Sequence, residues 1–317
     1  MKSIKSIGMW FLLLGFLTIT SSCGDDDDPV VSDPKSIATI ASETANLSIL
    51  VEALEKADLV SVLDGTDNFT VFAPTNDAFG DLLTANGFNS LDDVPTDLLK
   101  SILLNHVVNG TALSTALTTG YVKTNATEAT TGNNLDMFIN TDGGVTLNGS
   151  SEVITADIVA SNGVVHIVDA VIGLPTVVTF ATADNTFSTL VAALTRSDLT
   201  TDFVGVLSGN GPFTVFAPTN AAFGDLLTEL GASGLDAIDV NTLDAVLKYH
   251  VVNGANVLST TLTDDMTVNT LQSSAFTIDL DNGAEIIDAN GRVAGIVVTD
   301  VQASNGVIHA INKVILP

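Results

Sequence analysis

The chain has 317 residues and a single cysteine, Cys23, so no disulfide can form within it. Cations are nearly as scarce. Ten Lys and Arg stand against 37 Asp and Glu, a formal charge of −27 at pH 7. Affinity for nucleic acid rests on Lys and Arg neutralising phosphates, so this balance argues against nucleic acid as a partner. It argues equally against docking on anionic headgroups, and it suits a protein that stays soluble outside a cell. Aromatic residues make up 5% of the chain, with two Tyr and one Trp, Trp10. A carbohydrate site built from stacked rings is therefore hard to assemble. No Gly-x-Ser-x-Gly elbow is present to mark a serine hydrolase. Beyond the first 23 residues, no apolar run approaches the length of a membrane span.

The one long apolar run lies at the front. Lys2 and Lys5 precede the stretch IGMWFLLLGFLTI (residues 7–19), which has the length and flanks of a signal peptide. Small polar residues then lead to Cys23. The sequence TITSSC resembles a relaxed bacterial lipobox, with Thr20 where Leu is usual. The expectation is a signal peptide over residues 1–22 and lipidation at Cys23. Several acyl chains on one cysteine would provide a stable anchor where one chain would not. GDDDDPVVSDPKS follows; its four consecutive aspartates repel one another, so residues 23–35 read as a solvated tether. An acidic run behind a lipidated cysteine also resembles the surface-export signal of Bacteroidetes-like lipoproteins. The expected location is the outer membrane, lipid-anchored and facing outward.

The rest of the chain is written twice. FTVFAPTNDAFGDLLT (residues 69–84) returns as FTVFAPTNAAFGDLLT (residues 213–228), with Asp77 replaced by Ala221. LLNHVVNG (103–110) returns as LKYHVVNG (247–254), and ASNGVVHIVDAVI (160–172) as ASNGVIHAINKVI (303–315). A period near 140 is the size of a domain rather than of a solenoid repeat. The expected units are residues 36–175 and 176–317, joined near Pro175 by a linker too short to allow much freedom.

Within a copy, FTVFAP alternates and is rich in strand formers, and Pro74 stops it. Thr75 or Asn76 can cap the helix that follows, with Phe79, Leu82 and Leu83 on one face. PTDLLKSILLNH predicts a second helix capped by Thr96, with Leu98, Ile102 and Leu103 on its face; the counterpart runs from Asn241 through Leu243, Val246 and Leu247. LSILVEALEKADL places Leu47, Leu50, Val51 and Leu54 at helical spacing. LDMFINTDGGVTLNG and FTIDLDNGAEIIDANG read as hairpins. The predicted class is α+β, a β core flanked by helices grouped early in each unit.

The three duplicated motifs resemble those of the fasciclin domain family, in order and spacing, over residues 36–317. The resemblance implies a seven-stranded β wedge with a helical lobe in each copy. It also implies a role in adhesion or extracellular contacts rather than catalysis, with no cofactor. In animal members a Tyr-His pair before the Val-Val strand is linked to integrin binding. It maps onto Tyr249-His250; the first copy departs from it with Asn105-His106. These four residues are the candidate partner-contact positions. The expected partner is an extracellular protein or polysaccharide, with the membrane reached only through the lipid.

Four histidines, His106, His166, His250 and His309, are two positions duplicated. Each copy offers two His, no Cys, and Asp157 or Asp300 nearby in sequence, short of a complete zinc set. The readings left open are a structural role for each imidazole, a metal site, or a partner contact. DLDNGAEIIDANG (279–291) does not complete a calcium loop and reads as a solvated hairpin. Two alternatives to the surface adhesion module therefore stand: an extracellular ligand-binding protein or metal-dependent enzyme using the His and Asp positions, and an envelope scaffold.

Overall fold

A strand buried on both faces needs partners on both edges and apolar cover on both sides, and this requirement organises each copy. The computed structural model describes residues 34–317, which form one compact unit. The expected signal peptide, Cys23 and the aspartate run lie outside the described residues.

The first copy begins with three short helices, α1 (Ile37–Glu43), α2 (Ser48–Lys56) and α3 (Val60–Leu63). Strand β1 (Phe69–Pro74) follows, then α4 (Asn76–Ala85), α5 (Thr96–Asn105) and the strands β2 (Val107–Asn109), β3 (Gly120–Thr127), β4 (Asn134–Asn140), β5 (Thr146–Leu147), β6 (Ser151–Ala160) and β7 (Gly163–Val168). The second copy repeats the order with α6 (Val177–Ala183), α7 (Ser188–Leu194), α8 (Phe203–Leu207), β8 (Phe213–Pro218), α9 (Asn220–Leu230), α10 (Val240–Tyr249), β9 (Val251–Asn253), β10 (Thr267–Asn269), β11 (Ala275–Asp279), β12 (Glu285–Ile287), β13 (Val293–Ala303) and β14 (Gly306–Ile311). The α+β class read from the sequence is the one observed, and both expected hairpins form, β4 with β5 and β11 with β12. No single helix among the described residues is long and apolar enough to cross a membrane.

In the first copy β1 to β7 close into a barrel in chain order, the last strand returning to lie parallel to the first. The second copy pairs the same neighbours, but β9 and β10 do not join as a ladder, so its sheet stays open in the order β10-β11-β12-β13-β14-β8-β9. Side chains of a strand alternate between faces. Phe69, Val71 and Ala73 thus face the helices, where Leu50, Leu54, Phe79, Leu99 and Leu103 cover them. Phe72 points the other way, into a second core with Met137, Ile139, Leu147 and Val168. The second copy divides its core in the same manner, with Phe216, Phe276 and Ile286 on the side away from the helices.

The Ala-Ser-Asn-Gly motif is explained by the parallel pairing. Asn162 accepts a hydrogen bond from Ile37 N at the start of α1, 2.9 Å, and donates to the Leu63 and Gly65 carbonyls at 2.7 and 3.0 Å. Asn305 repeats this with Val177 N, Leu207 O and Gly209 O. One amide so ties the last turn of the sheet to the first and third helices. At Gly163 a Cβ would stand 1.9 Å from the Phe69 carbonyl oxygen, and at Gly306 2.3 Å from that of Phe213. Only glycine lets the strands approach this closely.

Two details of the sequence reading are corrected. Thr96 is the first helical residue of α5, preceded by Pro95, and its side chain makes no cap. Proline pre-sets the turn instead, whereas the second copy uses Asp239, which accepts from Asn241 N and Thr242 N. The buried face of α5 is Leu99, Ile102 and Leu103, while Leu98 is exposed. Thr75 is the cap of α4, accepting from Ala78 N at 3.2 Å. Asn76 reaches back to Ile49 N, Ala45 O and Ser48 Oγ.

The copies meet along β4 and β13. Asp136, buried on β4, accepts from Gln302 N of the second copy at 2.6 Å and from Lys123 Nζ at 2.6 Å. Lys123 also donates to the Asp300 carbonyl, 3.1 Å. Tyr121 donates to Asp184 at 3.0 Å and sets its ring 5.0 Å from Phe138 and 5.4 Å, edge-on, from Phe180. Phe138 itself belongs to the apolar core of the second copy. The linker is held too, since the Pro175 carbonyl accepts from both Ser304 N and Ser304 Oγ.

Two substitutions test this account by urea unfolding of the purified chain. Phe223→Ala, which empties a fully buried site, is expected to cost about 3–5 kcal/mol. Asn305→Ala, which removes the partner of three backbone groups, is expected to cost at least about 1–3 kcal/mol; a loss near zero would show that water replaces the amide without penalty.

Candidate functional site

Each copy ends its last helix on a histidine. His106 and His250 are the C-caps of α5 and α10, where the chain turns into β2 and β9. That position drives the imidazole inward. His106 Nδ1 donates to Ile102 O at 2.7 Å, and Nε2 accepts from Ile172 N at 2.8 Å. His250 does the same with Val246 O, 2.7 Å, and Ile315 N, 3.1 Å. The preceding residues are also inside. Asn105 donates to Gly173 O at 2.9 Å and accepts from Thr124 Oγ1. Tyr249 donates to Ala275 O, 2.8 Å, and accepts from Ala289 N, 3.2 Å.

All four candidate contact residues, Asn105, His106, Tyr249 and His250, are at most 2% exposed. The structure places these candidate partner-contact positions inside the fold and not on its surface. Asn105, His106 and His250 join the helical lobe to the final segment of their copy, and Tyr249 ties α10 to β11 and to the turn after β12. The physical reason lies in the helix end. The residue capping α5 or α10 must turn its side chain under the sheet to satisfy carbonyls that the helix leaves open.

The other pair of histidines lies in β7 and β14. His166 Nδ1 accepts from Asp157 N at 3.2 Å and Nε2 donates to Ala112 O at 3.0 Å. His309 binds Asp300 N, 3.3 Å, and Val257 O, 2.8 Å. The rings stack on Phe72 and Phe216, with centroids 5.5 and 5.3 Å apart. Asp157 and Asp300 occupy positive-φ bulges, at 64° and 59°. Their carboxylates hold the Ser114 and Ser259 amides and hydroxyls, and the bonds from Ser114 hold the Asp157 carboxyl below the usual carboxylate range. Both nitrogens of all four imidazoles are therefore engaged. A metal ion or a substrate proton would have to displace a backbone bond in a buried site. Elsewhere, Asp264, Asp279 and Asp281 bring carboxylate oxygens within 4.8 Å of one another. Two of them already serve turn amides, Asp264 that of Leu280 and Asp279 that of Asp281.

What each copy does present outward is aliphatic. Val60 and Val62 on α3 are exposed, and so are their counterparts Val204 and Val206 on α8. Ile154 on β6 and Val297 on β13 match in the same way and are each more than half exposed. A helix of four or five residues cannot turn three apolar side chains inward at once, so VSVL and FVGVL buries Leu63 or Leu207 and leaves the valines outside. That repetition was visible in the sequence as an excess of apolar residues in a short element.

Burial pushes His106 and His250 down to about 4 from their ordinary 6.5, and lowers His309 as well. Below pH 6.5 the unfolded chain takes up protons that the folded chain refuses. The histidine contribution to stability is therefore expected to be full above about 6.5, to fall as pH drops from 6.5 towards 4, and to level off below 4. NMR titration of the ring carbons should show His106 and His250 neutral at pH 5.5; an ordinary midpoint for either would contradict its burial.

The fasciclin domain model matches residues 45–175 and again residues 185–317. Human periostin is 31% identical over 261 residues, covering 80% of this chain and 29% of periostin. The transforming growth factor-beta-induced protein ig-h3 of Sus scrofa is 30% identical, covering 80% of this chain and 35% of that protein. The chain thus spans about a third of the length of these two relatives. A Synechocystis protein is 38% identical over 143 residues, 45% of this chain and 98% of its own length. Among solved structures, the FAS1 domain pair of the insect cell adhesion molecule Fasciclin I superposes with a TM-score of 0.50 at 19% identity, covering 88% of this chain and 96% of that one. The duplicated motifs, the paired folds and the two matched segments agree, and this chain belongs to the fasciclin domain family, with two tandem copies of that domain.

Proposed function

We propose that the protein is a non-enzymatic adhesion module, held at the outer face of a bacterial outer membrane by lipid on Cys23. Its two fasciclin domains make extracellular contacts with a matrix protein or polysaccharide. The observation that carries this reading is the matched set of exposed aliphatic positions, Val60, Val62 and Ile154 in one domain and Val204, Val206 and Val297 in the other. The histidines that could have served catalysis are spent on backbone groups. Solved relatives include a domain pair from an insect cell adhesion molecule, and the acidic, disulfide-free chain suits an exposed, soluble display. Two weak contacts on linked domains gain by effective concentration, which gives duplication a use.

Two measurements test the reading. Cys23→Ala is expected to release the full-length protein from the membrane fraction, and protease added to intact cells is expected to remove the unaltered protein. In binding to immobilised matrix proteins and polysaccharides, Val62→Asp with Val206→Asp is expected to weaken capture at least tenfold while leaving the thermal midpoint within a few degrees. Capture unaffected by the pair of aspartates would place the contact elsewhere, and resistance to protease would reject surface display.

A further inference from the structure

The two domains differ inside the helical lobe. In the second, α6, α7 and α8 stand over β8 and β14 and enclose a cavity of about 220 Å3. The same position in the first domain holds about 20 Å3. The motifs around both are nearly alike, so the difference has local causes. Val177 stands where the first domain has Ile37, one methylene shorter. Leu194 and Leu199 are half-buried where Leu54 and Leu59 are buried. The connection between the second and third helices runs from residue 195 to 202, against 57 to 59 in the first domain.

The wall is hydrocarbon. Leu190, Phe203, Leu207, Val215 and Ile308 form it, all buried. The only polar side chains at the lining are Thr182 and Thr195. Both turn their hydroxyls away, Thr182 to Val178 O at 2.9 Å and Thr195 to Val191 O at 2.8 Å. With both hydroxyl protons spent, the lining offers a ligand little beyond hydrocarbon, and none of its groups is charged. An engineered cavity of about 150 Å3 with comparable walls stays dry and takes up benzene. Thr182, Thr195 and Val204 are the exposed members of the lining and mark its open side. Asp202 caps α8 beside it, accepting from Gly205 N, so an anionic headgroup at the opening meets a carboxylate and a strongly negative chain.

The geometry points to a binding site for a small uncharged hydrocarbon group, an aliphatic chain of about eight carbons or a ring of similar bulk, in the second domain alone. The affinity derives from burial of apolar surface, at about 25 cal/mol per Å2, and the ligand's polar end remains outside. This gives the second domain a small-molecule role beside the surface contacts of the pair, with Val204 bordering both.

The test uses 1-octanol below its solubility limit and the chain lacking residues 1–22 with Cys23→Ser, so that no acyl group competes. Octanol is expected to raise the thermal midpoint by several degrees and to give saturable heat in calorimetry, since a ligand specific for the folded state stabilises it. Ala181→Leu, which fills the cavity, is expected to raise the midpoint without ligand and to abolish the octanol response. Val191→Leu is the second filling variant should the first not fold. Octanoate is expected to bind at least tenfold more weakly than octanol. Absence of saturable octanol binding, an undiminished response in a folded filling variant, or equal affinity for octanoate would each overturn the assignment. Matrix capture is read out at Val62 and Val206, neither of which lines the cavity, so the two tests fail independently.

Discussion

The contact on which each domain depends is the parallel pairing of its first and last strands, β1 with β7 and β8 with β14. These strands are far apart in the chain and buried on both faces, so closing them fixes the whole β core at once. Loop-closure entropy must be met before such long-range contacts return anything. The Asn-Gly turn offsets that cost locally. Glycine permits the approach of the two backbones, and the asparagine side chain immediately fastens α1 or α6 and the end of α3 or α8 to the same point. Helical lobe and sheet thus lock together through one short sequence.

Much of this was legible because it is local. The strand FTVFAP, the Thr75 cap, Phe79 facing the core and the two hairpins each follow from residues within a few positions of one another, and duplication marked the domains without any structural argument. The reading failed where burial depends on distant chain. Leu98 and Leu99 both fit a helical period, and only the position of the sheet decides that Leu99 turns inward. Thr96 looked like a cap, but Pro95 had already fixed the entry to the helix. The Tyr-His and Asn-His pairs carried a partner-contact role by family resemblance, yet their side chains lie inside, tying the helical lobe to the final segment or, for Tyr249, to β11. No local pattern reveals that Ile172 and Ile315 will present amides to them.

Divergence between the copies is concentrated where neither shared motif nor shared core constrains it. Barrel closure is complete in the first domain and interrupted between β9 and β10 in the second. The helix-to-helix connection is short in one and long in the other, and the space enclosed beneath the helices differs too. The common machinery, two caps, two internal histidine pairs and two Asn-Gly turns, is preserved almost residue for residue. Duplication has in this sense left one scaffold in two copies and let their interiors differ.

The seam along β4 and β13 combines a buried carboxylate shared between the copies, a tyrosine that crosses from one to the other, and a phenylalanine seated in its neighbour's core. Burial raises the Asp136 carboxyl and the Tyr121 phenol, while Lys123 at the rim of the seam stays half exposed to water. A pull applied at the start of the chain and resisted at the second domain passes through this seam. Because Pro175 is also fastened to Ser304, drawing the two globules apart means breaking these contacts before the connecting segment can lengthen.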